Sequence, residues 1–258
     1  MNIHFYKYQG TGNDFVLIDN RAGDIALSKE QVAFLCDRRF GIGADGLMLL
    51  ENADGYDFKM VYYNADGNES TMCGNGGRCI AAFAKRLGVI THTATFIAID
   101  GPHTANIDEK GTVSLSMQDV ASVERHDDHT VIDTGSPHYV TTVNSVEAID
   151  VKATGSAIRN NERFKTEGIN VNFSEKVADG IKVRTYERGV EDETYSCGTG
   201  VTAAAIAHTE QQLGQFSINI ATPGGALMVS LEKDSPDSAI NITLNGPATF
   251  VYEGDIAF

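Results

Sequence analysis

The chain has 258 residues, with 20 Lys and Arg against 35 Asp and Glu, a net charge of −15 and an isoelectric point near 4.7. A surface this acidic repels phosphate backbones and anionic headgroups, which argues against a nucleic-acid partner and against a membrane-surface role. At 42% hydrophobic and 21% charged residues, the chain is too apolar for disorder and long enough for one large domain or two modest ones.

No apolar run approaches the length of a membrane span, the stretch 47–50 being typical. The N-terminus reads as a partly polar strand, without the basic start and apolar run of a signal segment. Four cysteines in a chain this long do not form a disulfide framework, so a cytoplasmic location with reduced thiols is expected. Glycine, at 26 residues, is above ordinary usage, and its clusters carry most of the information.

In chain order, alternating or β-branched runs predict strands at 3–8 and 15–19. The capping box Ser28-x-x-Gln31, followed by Val32, Phe34 and Leu35, opens a helix that stops near Gly41. Apolar residues 47–50 and the run 57–63 read as strands, followed by an Ala-rich helix over 78–87 closed by Gly88. Further strands are expected at 95–99, 112–117, 139–143 and 182–186. A second Ala-rich helix is expected over 201–213, closed by Gly214, and strands follow at 216–220, 227–231 and 240–244. No Pro- or Ser-rich linker and no charge block divides the chain.

The two Ala-rich helices begin alike. Cys73-Gly74-Asn75-Gly76-Gly77 introduces the first and Cys197-Gly198-Thr199-Gly200-Val201 the second, 124 residues later and close to half the chain length. This reads as an internal duplication into two α+β halves whose helix N-termini face each other. A cysteine just before a helix sits where unpaired N–H groups and the helix dipole stabilise its thiolate. The glycines let backbone approach a ligand, and their N–H groups can hold a carboxylate. Two thiols on opposite sides of one carbon suit inversion of stereochemistry, one removing a proton and the other delivering one, with no pyridoxal cofactor and no metal. Cys36 and Cys79, which lack the glycine context, read as small core residues.

Two motifs are decoys. Gly41-x-Gly43-x-x-Gly46 has the letters of a dinucleotide fingerprint but follows a helix and leads into a strand, the reverse of the required order. The cysteines contain no C-x-x-C pair, which speaks against structural zinc.

The chain resembles the diaminopimelate epimerase family nearly end to end. The resemblance rests on residues 10–15 (Gly-Thr-Gly-Asn-Asp-Phe), 39–45 (Arg-Phe-Gly-Ile-Gly-Ala-Asp), 63–67, the box from Cys73 to Cys79, 168–171, Tyr186-Glu187-Arg188-Gly189 and Cys197-Gly198-Thr199-Gly200. It implies interconversion of LL- and meso-diaminopimelate, a step toward lysine and peptidoglycan precursors, without pyridoxal phosphate. It further implies Cys73 and Cys197 as base and acid, with His138 and Glu187 tuning their protonation. Gly74, Asn75, Gly198 and Thr199 would hold the carboxylate and amino group at the reacting carbon. Asn13, Asn64, Asn170 and Arg188 would grip the distal amino-acid end, and Glu187 would also line the site. On pattern alone, Asn64 also reads as a turn former, Arg188 beside Glu187 as a surface ion pair and His138 as a strand cap.

The family pattern is not matched everywhere. Gly46 stands where many members carry Gln, Ser136 where Asn is common, and Phe164-Lys165 where Phe-Pro is usual. Ser136 still donates and accepts and is kept among the binding residues. The implied fold is two pseudo-symmetric domains, 1–118 with a returning strand at about 248–258 and 119–247. Each is a curved mixed sheet around a central helix, with the site in the interdomain cleft, and homodimers are common in the family. Proline or hydroxyproline racemases of the same superfamily, and a thiol redox protein, are the alternatives.

Overall fold

The computed structural model describes residues 2–257. Met1, where the expected first half begins, and Phe258, at the end of the expected returning strand, lie outside the described residues. The chain divides into two compact units, one running to Leu115 and resuming at Gly246, the other Ser116–Asn245.

The first unit contains β1 (Asn2–Gly10), β2 (Asn13–Asp19), α1 (Lys29–Cys36), β3 (Gly46–Glu51), β4 (Phe58–Asn64), β5 (Glu69–Ser70), α2 (Gly74–Arg86), β6 (Thr93–Ala98), β7 (Gly101–Ile107) and β8 (Val113–Ser116). The second contains β9 (Val123–Arg125), β10 (Thr130–Asp133), β11 (Pro137–Thr142), α3 (Val151–Arg159), β12 (Asn170–Val177), β13 (Gly180–Glu187), β14 (Asp192–Thr194), α4 (Gly198–His208), β15 (Gly214–Thr222), β16 (Gly225–Lys233) and β17 (Ile240–Gly246). The last strand, β18 (Thr249–Ala257), pairs antiparallel with β1.

The two units repeat one topology. In the first, β1 and β2 are antiparallel, β2 and β3 parallel around α1, and β3 and β4 antiparallel. In the second, β10, β11, α3, β12 and β13 follow the same sequence of pairings. Strand β4 then pairs with β5 and, across α2, in parallel with β6. Strand β13 does the same with β14 and, across α4, with β15. Parallel pairing requires a crossover connection, and each cysteine helix is that crossover.

The alternating runs all form strands, with ends shifted by a residue or two. The Ser28–Gln31 capping box closes as expected: the Gln31 N–H donates to Ser28 Oγ, and the Ser28 N–H to Gln31 Oε1. The cysteine helices differ from their predicted bounds. Both start earlier, at Gly74 and Gly198, so the glycine boxes form their first turns. Helix α4 also stops at His208, because Thr209 Oγ1 donates to the Ile206 carbonyl at 2.7 Å and Glu210 turns to φ 53°.

Each cysteine helix packs against the strands of its own unit. The small residues Ala203, Ala204 and Ala205 let α4 sit close to Val229, Leu231 and Leu244, all buried. In the first unit Phe83 of α2 packs on Tyr6 and Tyr8 of β1, with centroids 4.8 and 6.0 Å apart. Burying each such large side chain is worth about 1.5–3 kcal/mol, which fixes the helix axes and so the positions of their N-termini.

Candidate active site

Cys73 and Cys197 are the N-cap residues of α2 and α4. Both have extended backbones, and both carbonyls accept the first helical bond, from Gly77 at 2.8 Å and from Val201 at 2.9 Å. The Gly76 N–H donates to Cys73 Sγ at 3.2 Å, so one helix-terminal donor already points at the sulfur. A Cβ on Gly76 would lie 3.1 Å from that sulfur. Cys197 makes no side-chain cap bond, and its Sγ lies 3.5 Å from Thr199 Oγ1. By contrast, burial pushes the Cys36 and Cys79 thiols up to about 12, which leaves them protonated core residues.

Around Cys73 the first unit gathers Gly74, Asn75 and Asn13. The Asn75 amide donates to Asn13 Oδ1 at 3.2 Å, and the Asn13 amide donates to Asp45 at 2.7 Å. Asp45 and Asp14 are both held by Arg38, and Lys7 adds an ion pair to Asp14 at 2.7 Å. Burial alone would raise the Asp14 carboxyl, but hydrogen bonds from Arg38 and Lys7 outweigh it and hold it well below the usual carboxylate range. Asn64 ends β4 opposite Gly46, which stands opposite Phe15, so Asn64 lies at the same end of the sheet as Asn13. It is exposed, and its carbonyl accepts the Gly67 N–H of the following turn. Gly46 has no room for a side chain, since a Cβ would fall 2.6 Å from the Tyr62 ring.

The second unit gathers the remaining residues. His138 on β11 stands opposite Asn170 on β12. The Asn170 amide donates to Ser136 Oγ at 2.8 Å and to the Pro137 carbonyl, while its Oδ1 accepts the Arg188 N–H at 2.9 Å. The Arg188 guanidinium donates to the Glu167 carbonyl, and its stem lies over Gly168. Glu187 closes β13, its carbonyl accepting the Glu191 N–H. Thr134 Oγ1 donates to the Thr199 carbonyl at 3.0 Å, tying the first turn of α4 to the loop after β10.

His138 is fully buried, and burial, with a smaller push from the Arg188 charge, lowers its imidazole to about 3. It is therefore neutral at neutral pH. Asn172 decides its tautomer. Asn172 Oδ1 accepts from Thr185 Oγ1, so its amide donates both to the Tyr139 carbonyl and to His138 Nδ1 at 3.1 Å. Nδ1 is then the acceptor, and Nε2 carries the proton.

Sequence reasoning missed Asn172, Thr134 and the Asp14–Asp45–Arg38–Lys7 cluster. Asn172 could have been found from its place two residues after Asn170 on one strand, which puts both side chains on one face. Among the described residues no group of three or more His, Cys, Asp or Glu is placed to hold a metal.

The sequence pattern of the diaminopimelate epimerase family matches residues 5–123 and 130–251. A diaminopimelate epimerase of Flavobacterium psychrophilum is 52% identical over 256 residues, covering 97% of this chain and 99% of that protein. One of Chlorobaculum tepidum is 41% identical, covering 96% and 98%. Among solved structures, a phenazine biosynthesis protein of the PhzF family from Bacillus anthracis superposes with a TM-score of 0.76 at 14% identity, covering all of both chains. A hydroxyproline epimerase from Agrobacterium vitis superposes with a TM-score of 0.67 at 14% identity, covering 100% of this chain and 93% of that one. Those two likenesses concern the fold.

Proposed function

Because the chain belongs to the diaminopimelate epimerase family, we propose that it interconverts LL- and meso-diaminopimelate by passing protons between two cysteines, without pyridoxal phosphate or a metal. The observation that carries this reading is the repeated one: in each unit a cysteine caps a glycine-rich helix. One thiolate takes the α-proton as the C–H bond breaks. The other thiol delivers its proton to the opposite face, and the two sulfurs exchange protonation states. Both sulfurs must reach one α-carbon for this chemistry. The reacting carboxylate is held by the N–H groups of Gly74, Asn75, Gly198 and Thr199, which stabilise charge as it delocalises from the carbon.

Asn13, Asn64, Ser136, Asn170 and Arg188 take the distal amino-acid end, Glu187 lines the site, and His138 and Glu187 tune the thiols. A neutral His138 with Nδ1 already accepting a bond can serve only as an Nε2–H donor. The thiols must stay reduced, which fits a cytoplasmic enzyme of lysine and peptidoglycan precursor synthesis. A homodimer is what the family resemblance implies.

The test uses reduced, metal-stripped, pyridoxal-free protein with LL-diaminopimelate in D₂O. We expect the meso isomer to form with solvent deuterium at the α-carbon, and to vanish in Cys73→Ser and in Cys197→Ser. Turnover of proline with none of diaminopimelate would overturn the substrate, and full activity in either variant would overturn the mechanism.

A further inference from the structure

The two cysteine helices differ at one position whose chemistry is unequal. Five residues after Cys73 stands Arg78, and five after Cys197 stands Thr202. Each satisfies the carbonyl of the glycine after its cysteine: Arg78 Nη1 donates to Gly74 at 3.1 Å, and Thr202 Oγ1 donates to Gly198 at 2.9 Å. Both side chains are fully buried. Threonine does this work without a charge, so the guanidinium in the first unit needs its own explanation.

All of the Arg78 partners are neutral. Besides Gly74, it donates to Thr11 Oγ1 at 3.3 Å, Asn75 Oδ1 at 3.0 Å and the Pro247 carbonyl at 3.4 Å. Among the described residues no carboxylate pairs with it. Asp14 and Asp45 are engaged by Lys7 and Arg38, Asp100 by His103, and Glu253 by Arg86 at the far end of α2. Burial draws its pKa down, yet a guanidinium stays charged at neutral pH. An isolated buried cation is costly and is kept where an anion forms beside it. Two sulfurs belong to its surroundings: Cys79 Sγ faces Gly10 together with Arg78 Nη2, and Cys73 immediately precedes the Gly74 whose carbonyl Arg78 holds. Burial holds the Cys79 thiol at about 12 even with Arg78 beside it, whereas Cys73 is partly exposed at the helix start. Cys73 is the sulfur left to carry the charge.

We propose that Arg78 is a positioning residue that makes Cys73 the thiolate of the resting pair and Cys197 the thiol. The same guanidinium sets the orientation of the amide chain. By occupying Asn75 Oδ1 it turns the Asn75 amide toward Asn13 Oδ1, which turns the Asn13 amide toward Asp45. Around Cys197 the corresponding groups, Thr202, Asn172 and a neutral His138, are uncharged, while the Arg188 guanidinium, held by the Glu167 carbonyl, acts on His138. The inference rests on the two-thiol reading above.

The test is the pH dependence of iodoacetamide alkylation at each cysteine of the resting full-length protein, followed by mass spectrometry. The midpoint, unlike the rate, does not depend on access. We expect Cys73 to titrate at least about one pH unit below Cys197, since a neighbouring cation lowers an acid by one to three units. Arg78→Gln, which can still bond Gly74, is expected to raise the Cys73 midpoint by about one unit and leave that of Cys197 in place, and Arg78→Lys to restore it. A merely structural Arg78 would lower the melting temperature of Arg78→Gln with both midpoints unmoved, which would overturn the proposal. If Arg78→Gln fails to fold, the wild-type midpoints decide alone, and Cys197 titrating at or below Cys73 overturns it. Substrate is absent throughout, so failure to epimerise diaminopimelate would sink the reaction and not the thiol assignment.

Discussion

Two halves with one topology surround their cysteines with different electrostatics. Behind Cys73 lie ions: Arg78, and beyond Asn75 and Asn13 the cluster of Asp45, Asp14, Arg38 and Lys7. Next to Cys197 lie neutral hydrogen-bonding groups, Asn172, His138, Thr185, Thr134 and Thr202, with the Arg188 charge acting on them only through its smaller push on His138. A duplicated scaffold thus keeps the helix N-terminus as its invariant tool while the packed surroundings set what each thiol does. A racemase acting on a substrate with two unlike sides needs the same placement twice, and a default proton position needs the two placements to be unequal.

The largest effect that probes this asymmetry is loss of either thiol. Cys73→Ser and Cys197→Ser are each expected to cut epimerisation by about 10²–10⁴-fold or more, because each removes a positioned acid–base group. A substrate analogue carrying a β-leaving group separates the two variants. Elimination needs only one base to take the α-proton while the leaving group departs with its electron pair. Cys197→Ser, which keeps the thiolate, should retain elimination, and Cys73→Ser should retain much less. Equal elimination in both would mean that the thiols are interchangeable as bases.

Arg188→Ala comes next. Its guanidinium is proposed to meet the distal end, so its removal should raise KM by roughly 10–100-fold, the value of a hydrogen bond to a charged group, with kcat little changed. A collapse of kcat at constant KM would move Arg188 to the reacting carbon. The same change leaves the backbone N–H that Asn170 accepts in place, so the local fold is expected to survive.

Acid separates the halves by pH window. His138 at about 3 lies below its ordinary 6.5, so the unfolded chain binds a proton that the folded one refuses. Its contribution is intact above pH 6.5 and is lost as pH falls toward 3, at about 1.4 kcal/mol per pH unit. Asp14 is also depressed, but its window opens only below its ordinary 3.8. Between pH 7 and 5 the wild type should therefore lose about 2 kcal/mol relative to His138→Gln in urea unfolding, all of it traceable to the second unit. Parallel pH profiles for the two proteins would show that the imidazole is not held neutral.

These surroundings were the least legible part of the chain. Alternation and caps exposed many of the strands, though not β7, β10 or β12, and the cysteine helices, because those signals are local. The early starts at Gly74 and Gly198 were hidden, since glycine reads as loop until a sheet wraps the helix. Helix α3 was hidden too: Asp150 caps it, but Gly155 interrupts its pattern, and only the structure shows that a Cβ there would strike Tyr186 at 2.4 Å. Strand β12 carries Asn170, Asn172 and Ser174 inward, so its buried face looks like a polar turn. Buried polar residues defeat a reading in which polar means exposed, and one of them, Asn172, lies against the first turn of the helix that Cys197 caps.

The smallest contrast lies at the paired glycines Gly76 and Gly200, three residues after each cysteine. A Cβ at Gly200 would stand 2.4 Å from Asn172 Oδ1, and that amide is fixed by Thr185, Tyr139 and His138, so it has nowhere to go. Overpacking of this kind costs about 1–3 kcal/mol, against which the helix gains about 1 kcal/mol by replacing glycine with alanine. At Gly76 the close neighbours are Cys73 Sγ at 3.1 Å and the flexible thioether of Met48 at 3.4 Å, which can yield. Gly76→Ala should therefore melt within a degree or two of the wild type, and Gly200→Ala several degrees lower. Because Asn172 also fixes the His138 tautomer, Gly200→Ala should disturb that imidazole as well, visible as a changed ring-nitrogen shift by NMR. If Gly76→Ala proved the worse of the two, the polar packing around Cys197 would be the softer surface, and the ionic half would be the rigid one.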